Sequence, residues 1–222
     1  AWVTMRPMSL WESGESTGSV SLDALFQGEA GASVARDISL RELAYLICRG
    51  GWPGSLVLEP KAALRQAMNY VDAVVNSDIS RVDDVSRNPE FTRRLLRSYA
   101  RRQGQQVSIR TIHEDLENHS AGSMSADTIS SYISALEKIF VIEDMLAWNP
   151  NLKSRTAIRT SDTRFFVDPS VAASALGLGP DDLIEDLNTF GLLFETLAVR
   201  DLRVYADALN GHIYHYRDKS GL

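Results

Sequence analysis

The stretch from Asn88 to Pro150 constrains the fold most, because three helix starts and a change of hydrophobic period follow one another inside it. Asn88-Pro89-Glu90 is a helix start: Asn offers a side-chain acceptor to the first free backbone N–H groups, and Pro suits the first helical position. Phe91, Leu95, Leu96 and Tyr99 follow at helical spacing, and Gly104 predicts the end of that helix. Ser108 can cap a second helix carrying Ile109, Ile112 and Leu116. After the small, polar run Asn118–Ser123, Ser125 can cap a third. Its apolar stripe is Ile129, Tyr132, Ile133, Leu136, Ile139 and Phe140. At Phe140-Val141-Ile142 the period turns from helix to strand. Three short helices followed by an apolar strand is the order of a winged helix-turn-helix. Its hairpin would be Val141–Trp148 and Thr163–Val167, joined by the basic loop Asn149–Asp162.

Length leaves room around this unit, since 222 residues make one large domain or two to three small ones. No run approaches the roughly 18 apolar residues that suggest a membrane helix. The start, Ala1-Trp2-Val3-Thr4-Met5-Arg6, lacks the basic-then-apolar layout of a signal peptide. One cysteine, Cys48, cannot form an internal disulfide and sits in an apolar helical pattern, so it is expected to be a buried small hydrophobe in a reducing cytoplasm.

Residues 1–12 are apolar and strand-like, and residues 13–37 are a Gly-, Ser- and Glu-rich connection with a helical turn at Leu22, Leu25 and Phe26. Ser39 caps a helix facing inward through Leu40, Leu43, Ala44 and Ile47. Gly50-Gly51-Trp52-Pro53-Gly54 stops it in a tight turn, with Trp52 expected to plug a core. Lys61–Ser77 is predicted as a further core-packing helix. Beyond the central unit, Asp168-Pro169-Ser170 starts a short helix through Leu176, and Asp181–Leu187 makes an acidic one. Thr189 is expected to cap a long helix with Leu193, Phe194, Leu197, Leu202 and Tyr205 inward. Asn210-Gly211 is a turn signal before a strand over His212–Arg217.

Phosphate-binding loops are missing: the glycine clusters Gly14–Gly18 and Gly177–Gly179 lack the Lys-Ser/Thr of a Walker A loop. His113 and His119 fall on different helix faces, and His212 and His215 on opposite sides of a predicted strand, so no metal site is expected. No serine-hydrolase motif occurs. The net charge of −6 argues against a protein that coats nucleic acid generally. Cations nevertheless crowd two places, Arg93, Arg94, Arg97, Arg101 and Arg102 on the first helix of the central unit, and Lys153, Arg155, Arg159 and Arg164 after its strand. The third helix faces outward through Asp127, Ser130, Ser131, Ser134, Glu137 and Lys138, which offers few donors to base edges and speaks against sequence-specific groove reading. Arg93, Arg94, Arg97, Arg101, Lys153, Arg155 and Arg159 are instead candidates for phosphate contact, which carries no sequence information.

An ordered set of segments also resembles a known family. They are Met5-Arg6-Pro7-Met8-Ser9-Leu10, Arg49-Gly50-Gly51-Trp52-Pro53, Tyr70 to Asp78-Ile79, Ser125 to Glu143, Phe165-Phe166-Val167-Asp168-Pro169, Gly191-Leu192-Leu193-Phe194-Glu195 and Tyr214-His215-Tyr216-Arg217. Together they resemble the C-terminal region, domain of unknown function 4143, of prokaryotic AAA-type P-loop ATPases. The resemblance covers essentially the whole chain. It implies that residues 1–12 are the tail of an ATPase domain, 13–87 a linker or lid helical region, 88–178 the winged helix and 179–222 the start of a PD-(D/E)xK nuclease-like element. In that element Glu195 would match the first acid, and the remaining metal-holding acids would lie past Leu222. The expected fold is therefore α+β and mostly helical. The expected function is a non-catalytic accessory region, without cofactor of its own, that engages a partner and couples it to the ATPase domain, where ATP and magnesium would bind. The partner would be nucleic acid through backbone contacts, or alternatively protein in an interaction or oligomerisation module.

Overall fold

A computed structural model of the chain describes residues 4–29, 37–118, 124–148 and 161–216. The described residues are mostly helical: α1 (Leu22–Phe26), α2 (Leu40–Arg49), α3 (Pro60–Ala73), α4 (Ile79–Arg81), α5 (Pro89–Ala100), α6 (Ile109–Asn118), α7 (Ala126–Lys138), α8 (Pro169–Leu176), α9 (Pro180–Glu185) and α10 (Leu187–Ala208). A π-helical turn, Val74–Asp78, joins α3 to α4. None of these helices is long and apolar enough to cross a membrane.

The expected caps hold. Ser39 accepts from Glu42 N at 3.2 Å, Asn88 from Phe91 N at 3.0 Å, and Ser108 and Ser125 from Thr111 N and Thr128 N, each at 3.2 Å. Each satisfies a donor that the first helical turn leaves free. The long α10 differs from expectation: Asp186, not Thr189, is its N-cap, accepting from Asn188 N and Thr189 N. A carboxylate there also meets the positive end of the helix dipole.

The hub is α8, a helix of small and apolar side chains. Pro169, Ser170, Val171, Ala172 and Ala173 are all buried, and α2, α3, α5 and α10 all pack on it. Small side chains on every face allow that many helices to approach. One continuous buried cluster runs from Ala44 and Ile47 through Leu95, Tyr99, Ile129 and Leu136 to Val171, Leu193 and Leu197.

After α7 the chain folds back on itself. Ile142 bridges Phe166 and Met145 bridges Thr163, both antiparallel, so the expected hairpin partners do meet; Thr163 also bridges Gln106, and Ala147 pairs with His215 in parallel. The pairing is by isolated bridges, not continuous strands. Side chains take the ladder's donors: Phe165 N gives to Asp144 Oδ1 at 3.3 Å and Phe166 N to Gln103 Oε1 at 3.3 Å. Over 212–216 the expected strand reduces to that one bridge, at His215.

Four packing expectations are corrected. Leu40, expected inward, is 58% exposed at the first position of α2. Residues 4–9 form no strand; their one backbone tie to the RGGWP turn is Met8 N to Gly51 O at 2.8 Å. Phe140 is 63% exposed, not inward. It sits at φ 55° where α7 ends, with Phe140 N bonded to Glu137 O and Val141 N to Leu136 O, a left-handed cap that throws its side chain off the helical stripe. Phe194 and Leu202 also face out, because the inward face of α10 is taken by Phe190, Leu193, Thr196, Leu197, Val199, Arg200 and Arg203.

Arg200 belongs to a buried polar network that joins four distant segments. Asp168 is fully buried; its Oδ1 accepts from Ser170 N at 2.9 Å, and its Oδ2 from Gly51 N at 2.9 Å and Arg200 Nη1 at 3.1 Å. Arg200 also binds Asp201 Oδ1 through Nε and Nη2, and Asp201 Oδ2 accepts from Leu10 N at 3.0 Å. Burial alone would lower the Arg200 pKa; Asp168 and Asp201 more than offset it and hold the guanidinium charged. Trp52 Nε1 donates to Ser170 Oγ at 2.9 Å, which places the expected plug against the same helix start. A Cβ at Gly51 would sit 2.7 Å from Met8 N, so only glycine lets the two backbones meet.

Candidate functional site

The arginines of α5 do not act as one group. The helix buries Phe91, Leu95, Leu96 and Tyr99, so its cations lie on the remaining arc. Arg93 pairs with Asp72 of α3 at 2.8 Å. Arg101 pairs with Asp115 of α6 at 2.6 Å, and Arg102 reaches the same carboxylate at 4.0 Å. Burial would raise the Asp115 pKa, but hydrogen bonds from Ser98 and Arg101 outweigh it and hold the group below its ordinary value. Arg94 and Arg97 make no ion pair among the described residues. The Arg94 guanidinium lies over the Phe91 ring, 5.7 Å from its centroid, and its Nε is buried without a hydrogen-bond partner among the described residues.

Arg93, Arg94 and Arg97 line one side of a cleft of about 310 Å³. Met68, Val71 and Asp72 of α3 form another wall, and Ser174 and Ala175 of α8 a third. Cations over an apolar floor hold an anion better than cations in open water, because the local dielectric is lower. Exposed pairs such as Arg93–Asp72 are worth only about 0–1 kcal/mol, so Arg93 can leave Asp72 for a phosphate at little cost.

The second expected cationic group is Lys153, Arg155 and Arg159, which lies outside the described residues. Arg164 is described and is no surface cation. It is buried and ion-paired with Asp144, which also accepts a hydrogen bond from the Tyr99 hydroxyl, and its Nε donates to Val107 O at 3.0 Å. Burial and then the Asp144 charge push the Tyr99 phenol well above its ordinary value, so it stays a neutral donor. On α7, Asp127, Ser131, Glu137 and Lys138 are exposed, as the helical spacing predicts.

Glu195 lies on the exposed side of α10 against the turn after α5. A Cβ at Gly104, whose φ is +66°, would come within 2.6 Å of Glu195 Oε2. Burial raises its pKa, and no described side chain bonds to it. No three His, Cys, Asp or Glu side chains among the described residues come together as metal ligands. His215 Nδ1 lies 2.6 Å from the side-chain amide of Gln106. Burial lifts the Cys48 thiol to about 12, which fits a buried side chain and not a nucleophile.

Sequence reasoning read Asp168 only as a helix start, which it is, and missed Arg200 and Asp201. A signal was present in the two charged residues at 200–201, on the stripe that an amphipathic α10 would bury.

Fold and site together define a mostly helical protein whose most distinctive open surface is an arginine-lined cleft between three helices. Residues 40–182 match the family described as a domain of unknown function, DUF8612, and with well over half of its length matched the chain belongs to that family. No curated protein and no solved structure matches it. The matched span contains every residue of the cleft and Asp168, and stops before Arg200 and Glu195.

Proposed function

We propose that this chain is a non-catalytic accessory region that engages nucleic acid through its phosphate backbone and, as its resemblance to the C-terminal region of prokaryotic AAA-type ATPases suggests, couples that contact to an ATPase domain. The observation that carries the reading is that Arg94 and Arg97, which have no ion pair among the described residues, sit at one cleft whose third cation, Arg93, is only weakly held. A winged helix supplies the frame. The order α5, Gln106, α6, α7 and then two antiparallel segments supports it, as does the position of Thr163 between Gln106 and Met145. Backbone contact without base readout suits an α7 whose exposed side chains include two acids and no arginine.

The experiment is fluorescence anisotropy of labelled duplex and single-stranded DNA across a salt series. Affinity should fall steeply with salt, with a logarithmic slope of about 0.9 per phosphate contacted on duplex. Arg94→Ala and Arg97→Ala should each weaken binding and flatten that slope by about one contact. No binding at low salt overturns the reading.

A second reading draws on the pairs Arg93–Asp72 and Arg101–Asp115, which show that some of these cations serve packing. It makes the chain a protein-interaction or oligomerisation module, and predicts a stable assembly on size-exclusion chromatography with no retention of DNA. A nuclease-like role for Glu195 would require metal-dependent cleavage by a longer chain, with Glu195→Gln abolishing it.

A further inference from the structure

Resting on that reading, we propose that the cleft between α3, α5 and α8 takes the terminal phosphate of a nucleotide, and that an adjoining apolar cavity takes the base of that nucleotide. The first argument is charge. Arg93, Arg94 and Arg97 line the cleft together with one carboxylate, Asp72, which leaves a surplus of two positive charges. A phosphodiester inside a backbone carries one negative charge. A terminal phosphomonoester carries about 1.5 to 2 at pH 7 and presents three strong acceptor oxygens, which guanidinium forks bind in pairs. The cleft therefore balances a chain end and overcompensates a single backbone phosphate.

Shape argues the same way. Helices α3, α5 and α8 wall three sides of the cleft. A chain end needs one way in, whereas a backbone that continues in both directions needs two. On the α8 wall Ser174 brings a hydroxyl donor. The last carbonyls of that helix, which would repel an anion, are already taken: Ser174 O accepts from Gly177 N at 3.1 Å and Ala173 O from Leu178 N at 2.9 Å.

Open space continues beyond the phosphate position. Met68 and Ser174 also line a second cavity, of about 220 Å³, whose other walls include Cys48, Leu64, Leu178 and Pro180. No charged side chain among the described residues lines it. Asp182, whose charge is felt at Cys48, accepts from Gly179 N at 2.7 Å. Such walls give a sugar phosphate few hydrogen bonds and leave an inorganic phosphate without contact. They suit a nucleobase, whose flat face binds apolar side chains with little regard to sequence once it is out of a duplex.

The test is fluorescence anisotropy on the full chain, with oligo-dT labelled at its 3′ end and carrying either a 5′-phosphate or a 5′-hydroxyl. The 5′-phosphate should tighten binding about tenfold, the worth of one charge-assisted hydrogen bond. Arg94→Ala and Arg97→Ala should each remove most of that preference. An abasic 5′-terminal nucleotide phosphate should bind at least about fivefold more weakly than the intact one. Competition identifies the source: thymidine monophosphate displacing the strand as well as the phosphorylated oligonucleotide does makes a free nucleotide the occupant, and weaker displacement makes it a nucleic-acid end. Equal affinity for the two strands overturns the proposal, and because they are compared on the unaltered chain that outcome does not depend on any variant folding. Inorganic phosphate that competes as well as thymidine monophosphate overturns the role of the apolar cavity. Salt-sensitive binding that ignores the 5′-phosphate removes this proposal alone, whereas no binding of any DNA at low salt removes the phosphate reading beneath it.

Discussion

Two regions of this molecule use arginine in opposite ways. At α10, Arg200 is buried and bonded to two carboxylates that are themselves bonded to Ser170, Gly51 and Leu10. At α5, Arg94 and Arg97 face a cleft without any ion pair among the described residues. The first arrangement fixes where four segments of chain lie relative to one another. Its net energy is modest, because desolvating the charges cancels most of their attraction, but breaking it is expensive. The second contributes little to folding and leaves charge available for a ligand. Counting arginines along the sequence does not separate these cases; counting unsatisfied ones in the fold does.

Asp168→Ala should have the largest effect. It removes a partner of buried Arg200 together with the cap of α8, at a cost of about 3–5 kcal/mol, much of a typical domain's stability. Urea denaturation should show a collapsed midpoint, and Asp168→Asn a smaller loss because it retains an acceptor for Ser170. Tyr99→Phe comes next. It deletes the hydroxyl that donates to Asp144 and leaves the buried Arg164 with a less constrained partner, a loss of about 1–3 kcal/mol by the same measurement. Arg94→Ala and Arg97→Ala sharpen the contrast from the other side: stability should stay within about 0.5 kcal/mol of the parent while DNA affinity falls. If instead either variant unfolds the chain, the two regions are not different in kind.

The smallest expected effect is on pH. A hydrogen bond and charge from Arg87 hold the Asp83 carboxyl down at about 2. Its folded value lies below the unfolded one of about 3.9, so its contribution is present above about pH 4 and is lost as pH falls toward 2. Acid titration of stability should show a loss across that window, and Asp83→Asn should flatten that part of the curve.

Local signals on the sequence fared best where their cause is local. Helix starts at Ser39, Asn88, Ser108 and Ser125 were legible because a cap is satisfied by a residue three positions away. Phe140 misled because helical spacing extends a stripe one residue past the turn at which the backbone leaves the helix. In the candidate site, the cleft cations were legible as cations, but their division into paired and unpaired depended on Asp72 and Asp115, residues that packing brings to them.

By itself the sequence determined the mostly helical character, the caps, the meeting of Val141–Trp148 with Thr163–Val167, and the burial of Cys48, since propensity, capping and hydrophobic period act over a few residues. Only the tertiary structure decided that α8 is the hub, that Asp168 holds Gly51 and Arg200 at once, that Arg94 and Arg97 have no ion pair among the described residues, and that Trp148 meets Tyr216. Those outcomes join residues far apart in the chain, and which partner a charge or a ring meets is settled by packing, not by its neighbours in sequence.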